Sequence, residues 1–292
     1  GNVASVEVLW ETLNTTDAVS VGDVIESVEL DGTKAKFTIP EDAVAGNALI
    51  GAKNSAGKIL WSWHIWVVDM DADASGVVYP SGYKFMDRNL GALTEELNEY
   101  DELGNKGDRD VRSFGLLYQW GRKDPFVGAG DTWGNVATTT LGEKTYINSG
   151  SDTNTQAYAT SHPYTVISDS DWNRDASLWG EEKTIYDPCP VGWRVPGSDA
   201  WNNVTETYLN YPRTGYTNGQ ASIYDVCSVY VIWTSESTGW NGKAFNSWNV
   251  DFYSQSVYNE HSVRCIKDAS FAVSTLYIAN RTDESAEINV EI

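Results

Sequence analysis

Short apolar runs separated by turn residues make up the first 70 residues of the chain. In residues 34–39, Ala35, Phe37 and Ile39 fall on one face of an extended strand, and the positions between them are polar. An Asp-Gly pair at 31–32 joins this run to a preceding apolar run, and Asp-Gly in that position favours a tight turn. We therefore predict a β-hairpin here.

A second pair of runs, 48–53 and 59–68, flanks turn residues at 54–57. The later run is apolar on both faces, which is typical of a strand in the centre of a sandwich. Together with an apolar run at 6–10, these segments predict an all-β sandwich, pilin-like or immunoglobulin-like, over residues 1–75.

An acidic segment, 69–76, marks the predicted boundary of this sandwich. Its alternating carboxylates resemble a calcium-binding loop, but Ala74 stands where such a loop needs glycine and Pro80 stands where it needs glutamate. We interpret the segment as a solvated acidic linker that holds no metal.

Residues 76–268 are predicted to form a second domain of the α+β class. Ser113 can cap a helix over 114–120, and Ser198 can cap a second helix toward Leu209. Helices packed beside short antiparallel strands are typical of α+β domains.

The polar stretch 127–183 is rich in Thr, Ser, Asn, Asp and Gly and shows no clear periodicity. So long an irregular stretch within a compact domain is typically functional or mobile.

The tail, residues 269–292, contains strand-like runs beyond the second domain. Ile288, Val290 and Ile292 alternate with polar residues, and 271–279 is a more apolar run. We expect the tail to return to the sandwich, either as the chain's own strand or as a fused stand-in for a neighbour's strand.

Composition narrows the classes of partner. The 292 residues include 20 Lys and Arg against 41 Asp and Glu, for a net charge of −21. Nucleic acids and anionic membranes attract cationic surfaces, so neither is expected as a partner. No stretch is long and apolar enough to span a bilayer. The 13 Trp and 16 Tyr exceed the needs of a core, and exposed rings suit sugar or protein recognition.

The sequence shows no grouping of residues typical of catalysis. The histidines His64, His162 and His261 lie far apart along the chain, and no metalloprotease, serine-hydrolase or phosphate-loop motif occurs. We therefore expect no enzyme and no cofactor. The three cysteines allow one disulfide and one remaining thiol.

Five segments together resemble a known family. They are 85–91 (FMDRNLG), 115–121 (GLLYQWG), 189–196 (CPVGWRVP), 232–236 (IWTSE) and 262–267 (SVRCIK). In this order they resemble the Fibrobacter succinogenes major paralogous domain, found in fimbrillin-like surface proteins of Bacteroidetes. The resemblance covers about two thirds of the chain, roughly residues 77–268. It implies a C-type lectin-like fold, an extracellular location on the cell surface or pilus, and pilus subunits as partners through strand exchange.

The resemblance also implies a disulfide between Cys189 and Cys265. Cys189 lies in the segment 187–196, where three prolines and a glycine restrict the backbone. Formylglycine-generating enzymes are similar in broad fold and use a pair of active-site cysteines, whereas here Cys227 is left alone. We expect Cys227 to be a buried, inert thiol.

A ligand-binding face is predicted just before the final strand of the second domain. In lectin-like proteins diversified by retroelements, variable positions rich in Asn, Ser, Tyr and Trp lie there, and this chain has the same residue types at that place. The predicted exposed face comprises Trp240, Asn241, Asn246, Trp248, Asn249, Asp251, Tyr253, Tyr258 and Asn259, extended by Tyr216 and Asn218. The alternative is an ordinary sheet, with Phe245, Val250 and Phe252 in the core.

These observations favour a non-enzymatic adhesin that binds a glycan or protein receptor through this face without a metal. A carbohydrate-active enzyme, or its accessory glycan-binding module, is the alternative, and a purely structural pilus subunit is a third. We expect substitutions in 127–183 to matter less for binding than substitutions in the predicted face.

Overall fold

The computed structural model of this chain describes residues 2–42, 44–95, 110–141, 144–148, 150, 152–169, 172, 175–205, 211–238, 240–246, 250–268, 275–278 and 287–291. The fold is mostly β-sheet with few helices. An N-terminal region and a second region can be distinguished by their strands, and the tail contributes strands to the first.

The N-terminal region contains five strands in two sheets. They are β1 (Ser5–Thr12), β2 (Ser27–Asp31), β3 (Lys34–Thr38), β4 (Gly46–Lys53) and β5 (Ile59–Val67). Strands β2 and β3 pair antiparallel, as do β4 and β5, so both predicted hairpins are confirmed. Alternate side chains of the two sheets enclose an apolar core, with Phe37, Ile50, Trp63 and Ile65 among its members.

A short helix, α1 (Ala72–Ser75), lies within the predicted linker. The Asp71 carboxylate accepts hydrogen bonds from the backbone N–H groups of Asp73 and Ala74, both at 3.0 Å, and so caps the helix. Met70 and Ala72 are buried, and Asp73 forms an ion pair with Lys267. The carboxylates of the segment are exposed, as the interpretation of a solvated segment requires, but Met70 and Ala72 pack it into the core instead of leaving it a free linker.

The second region is built from short strands and single helical turns. The strands are β6 (Val77–Val78), β7 (Lys84–Phe85), β8 (Leu117–Gln119), β9 (Thr145–Asn148), β10 (Thr165–Ser168), β11 (Trp193–Arg194), β12 (Val231–Ser237), β13 (Asn241–Asn246), β14 (Asp251–Ser256), β15 (Glu260–Ser262) and β16 (Ile266–Lys267), with helix α2 (Gln156–Ser161) between β9 and β10. They form sheets in the orders β14-β13-β12-β15-β8, β11-β16-β7-β6 and β10-β9.

The five family-like segments converge on one another in this region. Segment 262–267, which spans β15 and β16, pairs through β16 with β11 and β7 and through β15 with β12 and β8. Each of those four strands lies in, or overlaps, one of the other four segments. Cys189 and Cys265 form the expected disulfide, with their Cα atoms 5.9 Å apart. The resemblance therefore rests on residues that pair with one another to build the scaffold.

The helix predicted over 114–120 is wrong. A 3₁₀ turn over Val111–Ser113, capped by Asp110, is followed by strand β8. Gly115 between them has φ +76°, and a side chain there would meet the Leu90 carbonyl oxygen at 2.7 Å, so the backbone leaves the helical region at this point. Of the apolar residues at helical spacing, Leu117 lies in the buried strand β8, and Leu116 and Trp120 flank it.

The second predicted helix is reduced to one 3₁₀ turn, Ser198–Trp201. Gly197 rather than Ser198 precedes the turn, and no side chain caps it. Asn203 then takes a φ of 61°, which a continuing helix cannot accommodate. Leu209, where the helix was expected to end, lies outside the described residues.

The stretch 127–183 is more ordered than its composition predicts. Strands β9 and β10 pair in parallel, with α2 between them in the chain. Ile167, Trp172 and Trp179 are buried in the main core. These elements are only four to six residues long, which is too short to give a clear hydrophobic period. The stretch therefore contains regular structure although its sequence shows no periodicity.

The described part of the tail joins the N-terminal sheets. Strand β17 (Thr275–Ile278) pairs in parallel with β5, and β18 (Glu287–Glu291) pairs antiparallel with β3. For these residues the predicted return to the N-terminal region is confirmed.

The N-terminal and second regions share one core and a set of buried polar contacts. Trp10, Leu49 and Trp66 pack in the same cluster as apolar residues of the second region. Asn47 donates to the Gly91 carbonyl at 2.8 Å, and the Trp66 indole N–H donates to the Ala92 carbonyl at 3.0 Å. The boundary in the sequence is thus not a boundary in the packing.

Candidate functional site

Four of the eleven predicted binding residues lie on the antiparallel pair β13–β14: Asn241, Asn246, Asp251 and Tyr253. Asn246 pairs with Asp251, and Ala244 pairs with Tyr253, so these four side chains share one face. Asn241 belongs to the alternate positions and lies on the opposite face. The prediction of one continuous exposed face is therefore wrong.

Both faces of β13 are covered by core residues. A side chain at Gly242 would meet Trp120 and Trp233, each at 2.7 Å, which explains why a glycine is required there. On the other face the Phe245 ring stacks on Trp201, with centroids 5.2 Å apart. The solvent-facing surface is therefore the outer edge of the sheet at β14 and the turn before β13.

An open groove of about 330 Å³ follows this edge. We call it the edge groove; it is lined by Glu236, Ser237, Thr238, Asn241, Gly242, Lys243, Phe252, Tyr253 and Ser254. Tyr253 is 37% exposed, and Trp240, adjacent to Asn241 in the turn, is 53% exposed. Asp251, at the start of β14, is also exposed.

A polar network supports the floor of the edge groove. The Lys243 Nζ donates to Glu236 at 2.9 Å and to the Ser198 hydroxyl at 2.8 Å, and it lies 4.8 Å from the centre of the Phe252 ring. Partial burial works against ionisation of Glu236. The hydrogen bonds from Ser198 and Lys243, with the Lys243 charge, nevertheless hold the pKa of Glu236 below its usual value. A carboxylate and an ammonium group are therefore paired beside the Phe252 ring.

Two predicted site residues are less exposed than expected. Asn259 is only 7% exposed, because its backbone N–H closes the turn to Ser256 at 2.9 Å and its amide donates to Gln255 at 3.1 Å. Tyr216 is half-buried, with a backbone bridge to Tyr224. Asn259 is therefore not part of an exposed face, whereas part of the Tyr216 side chain remains in contact with solvent. Trp248 and Asn249 lie outside the described residues.

Asn218 and Tyr258 line a separate cleft of about 660 Å³. We call it the polar cleft; its other lining residues are Tyr146, Asn148, Ser168, Asp169, Gly219, Gln220 and Ala221. None of these nine residues lines the edge groove. The structure therefore divides the predicted set into two groups, Asn241 and Tyr253 at one site, Asn218 and Tyr258 at the other.

The histidines occupy three different environments. His64 is buried and hydrogen-bonded to Asn47 at 2.8 Å, whereas neither ring nitrogen of the buried His261 has a partner among the described residues. Burial lowers the pKa of each to about 3. His162 stacks on Tyr158, with ring centroids 3.9 Å apart. The three histidines therefore have different neighbours.

Cys227 is half-buried rather than buried, which corrects the expectation. Its φ is 59°, in a region that side-chain-bearing residues rarely occupy, within the loop that follows Tyr224. Among the described residues, no group of three or more His, Cys, Asp or Glu is placed to hold a metal ion. In the same part of the chain, no helix has both the length and the apolar character needed to cross a membrane.

One exposed aromatic residue was missed by the sequence analysis. Trp133 is 90% exposed on a turn fixed by Asp131, whose carboxylate accepts from the backbone N–H groups of Trp133 at 2.9 Å and Asn135 at 3.0 Å. An Asp followed closely by Gly and Asn is a turn signal, and it was available in the sequence. Trp133 lies within the stretch 127–183, where the sequence analysis predicted no recognition residue.

The two clefts therefore differ in chemistry as well as position. The edge groove joins the exposed Tyr253 and the half-buried Phe252 to a lysine–glutamate pair, whereas the polar cleft joins two half-buried tyrosines to amide, hydroxyl and carboxylate groups. Comparisons of this chain with protein-family models, curated proteins and solved structures found no match.

Proposed function

We propose that this protein is a non-enzymatic adhesin of the bacterial cell surface or pilus, and that it binds its receptor through the edge groove. The observation that carries the proposal is the exposure of Tyr253, which lines the edge groove, and of Trp240 in the adjoining turn. Rigid aromatic side chains supply contact area at little cost in conformational entropy, and they are enriched among the residues that dominate binding. Asn241 and Thr238 beside them can adapt their hydrogen bonds to a partner.

The architecture supports a display role. Two sheets around one apolar core fit a pilin-like or immunoglobulin-like sandwich, and the convergence of the five family-like segments fits a C-type lectin-like scaffold in the second region. In this interpretation the sandwich attaches the protein to an assembly and the second region presents the receptor site.

The tail strands support pilus subunits as partners by strand exchange. Strands β17 and β18 each occupy an edge of their sheet in the order of the described strands. An edge strand is held by backbone hydrogen bonds that a strand from a neighbouring subunit can replace. The same positions can thus be filled by the chain's own tail or by a donor.

The receptor site is tested with arrays of glycans and host proteins, followed by affinity measurements on any hit. We expect the Trp240→Ala, Tyr253→Ala double variant to lose at least about tenfold in affinity, equivalent to about 1.4 kcal/mol. Trp133→Ala is the matched control, since it removes an exposed tryptophan outside both clefts and should leave affinity unchanged. If the double variant binds the receptor like the parent protein, the receptor site is elsewhere.

The alternative, a carbohydrate-active enzyme, is separated by a reducing-sugar release assay on a panel of polysaccharides. An adhesin releases no sugar above the level of a heat-denatured sample. Sustained release by the purified protein would replace the proposal with the enzymatic alternative.

A further inference from the structure

The polar cleft lies between two parts of the second region that are distant in sequence. One wall is the parallel pair β9–β10, which contributes Tyr146, Asn148 and Ser168, and the other is the turn at 217–221 together with Tyr258. Its volume of about 660 Å³ falls within the range of small-molecule sites.

Buried polar side chains hold the two walls at a fixed separation. The Gln119 amide donates to the Ile167 carbonyl of β10 at 3.0 Å and to the Tyr258 carbonyl at 2.9 Å. The Ile167 N–H donates back to Gln119 Oε1 at 3.2 Å, and Arg122 donates to the same oxygen at 3.1 Å. A cleft whose walls are tied together in this way is preorganised, so a ligand does not have to order it.

Gly219 lets the turn close against Tyr258. Its φ is +75°, and a side chain there would meet the Tyr258 ring at 2.8 Å and the Ser168 hydroxyl at 3.2 Å. The Ser168 hydroxyl donates to the Gly219 carbonyl and joins the turn to β10. The shape of the cleft therefore depends on a position where only glycine fits.

The lining combines flat apolar surface with hydrogen-bonding groups. Tyr146 and Tyr258 are half-buried, so part of each ring remains in contact with solvent. The Asn218 Oδ1 is buried and accepts no hydrogen bond from any described residue. A buried acceptor without a donor destabilises the protein, so a ligand hydroxyl that donates to it would recover that free energy.

We propose that the polar cleft is a second binding site, separate from the edge groove, and that its ligand is a neutral saccharide. A sugar ring has a face of C–H groups that packs on an aromatic ring, while its hydroxyls both donate and accept hydrogen bonds. Tyr146 and Tyr258 supply the rings, and Asn218, Asn148 and Asp169 supply amide and carboxylate partners.

Charge selects a neutral sugar over an acidic one. The described residues that line the polar cleft include Asp169 but no Lys, Arg or His. The whole chain carries a net charge of −21, so a carboxylated or sulfated sugar meets repulsion with no cation to offset it. Lys144, the residue directly before β9, forms an ion pair with Glu260, with an N–O distance of 2.8 Å.

The test uses the full chain and saturation-transfer NMR with a panel of neutral disaccharides: lactose, maltose, cellobiose and diacetylchitobiose. Sialyllactose is the acidic counterpart of lactose. We expect at least one neutral sugar to bind, and Asn218→Ala and Tyr146→Ala each to weaken that sugar about tenfold or more. Tyr253→Ala, in the edge groove, is the matched control and should bind the sugar like the parent protein. Sialyllactose should bind at least about tenfold more weakly than the best neutral sugar.

Circular dichroism and thermal unfolding establish that each variant is folded before its affinity is compared. The proposal is overturned if the folded parent protein binds no neutral sugar of the panel, if it prefers the acidic sugar, or if Tyr253→Ala rather than Asn218→Ala abolishes sugar binding. Failure here leaves the adhesin proposal intact, because that rests on the Trp240 and Tyr253 variants and on a receptor identified independently. Conversely, sugar binding lost only in the cleft variants supports this site even if the edge groove binds nothing.

Discussion

The N-terminal region and the second region are stabilised in different ways. In the N-terminal region, strands of up to nine residues enclose their own core, and β3 among them alternates apolar and polar side chains. In the second region, strands β6, β7, β11 and β16 are only two residues long. Buried polar side chains there satisfy the backbone groups that long ladders satisfy in the N-terminal region.

Asp187 is the clearest example of stabilisation by a buried polar side chain. It is fully buried, and one carboxylate oxygen accepts from the Cys189 N–H and from Lys183 Nζ, both at 2.8 Å. The other oxygen accepts from the Val195 N–H at 2.9 Å. Burial lowers the pKa of Lys183, and the charge of Asp187 partly offsets this effect. One carboxylate thus holds both ends of the loop that contains Cys189.

Hydrophobic periodicity is therefore informative where strand ladders supply the backbone hydrogen bonds. Where a buried side chain supplies these hydrogen bonds instead, the chain can follow an irregular path and still be well packed. Four experiments test this contrast.

Asp187→Ala should destabilise the protein by about 3–5 kcal/mol. The change leaves the Lys183 ammonium buried without its partner and removes the acceptor of two backbone N–H groups. The measurement is the free energy of unfolding from denaturant titration. Asp175→Ala is the control, because among the described residues that carboxylate accepts only from Ser177 at an exposed turn, and the change should cost less than about 1 kcal/mol. Equal losses in the two variants would contradict the assigned role of Asp187.

Replacing both Cys189 and Cys265 by alanine should destabilise the second region by about 4 kcal/mol on the chain-entropy account. The bond closes a loop with a sequence separation of 76. Amide hydrogen exchange should show faster exchange in strands β12–β16. The hairpin β2–β3, whose core is independent of the disulfide, should retain most of its protection. Equal acceleration in both regions would show that the shared core makes them one cooperative unit.

His64→Phe and His261→Phe should have different effects, although both rings are buried. At pH 7, His64→Phe leaves the side-chain oxygen Oδ1 of Asn47 without its 2.8 Å partner and should lower the free energy of unfolding by about 1–3 kcal/mol. The second removes a ring with no hydrogen-bond partner among the described residues and keeps the aromatic contact with Trp233, so stability should be unchanged or higher. Denaturant titration of the two variants in parallel makes this comparison, and a larger loss in His261→Phe would contradict it.

The same pair predicts a dependence on pH. Each folded-state pKa is about 3, against an unfolded value near 6.5, so the unfolded chain binds more protons between these values. Stability from these groups is complete above pH 6.5 and falls as the pH drops toward 3, by up to about 1.4 kcal/mol per pH unit for each histidine. His261→Phe should therefore flatten the decline between pH 6.5 and 4.5. An unchanged slope would show that His261 takes up its proton in the folded protein.

The sequence by itself determined the two hairpins of the N-terminal region and the partners of the tail. Alternation in 34–39 and the Asp-Gly turn are local properties, so they predict β2 and β3 without knowledge of the fold. The motif resemblance identified the disulfide, because it rests on the segments that pair around 262–267.

Only the tertiary structure determined where the apolar and aromatic residues of the second region lie. The spacing of Leu116, Leu117 and Trp120 fits a helix, but Gly115 at φ +76° turns the chain into a buried strand. The composition around β13 and β14 indicated recognition, yet core residues lie against both faces of β13, and the exposed positions of the pair lie on β14. The walls of the polar cleft are distant in sequence and meet because Gln119 bonds to both. Periodicity reports local geometry, whereas a long-range hydrogen bond exists only once the chain has folded.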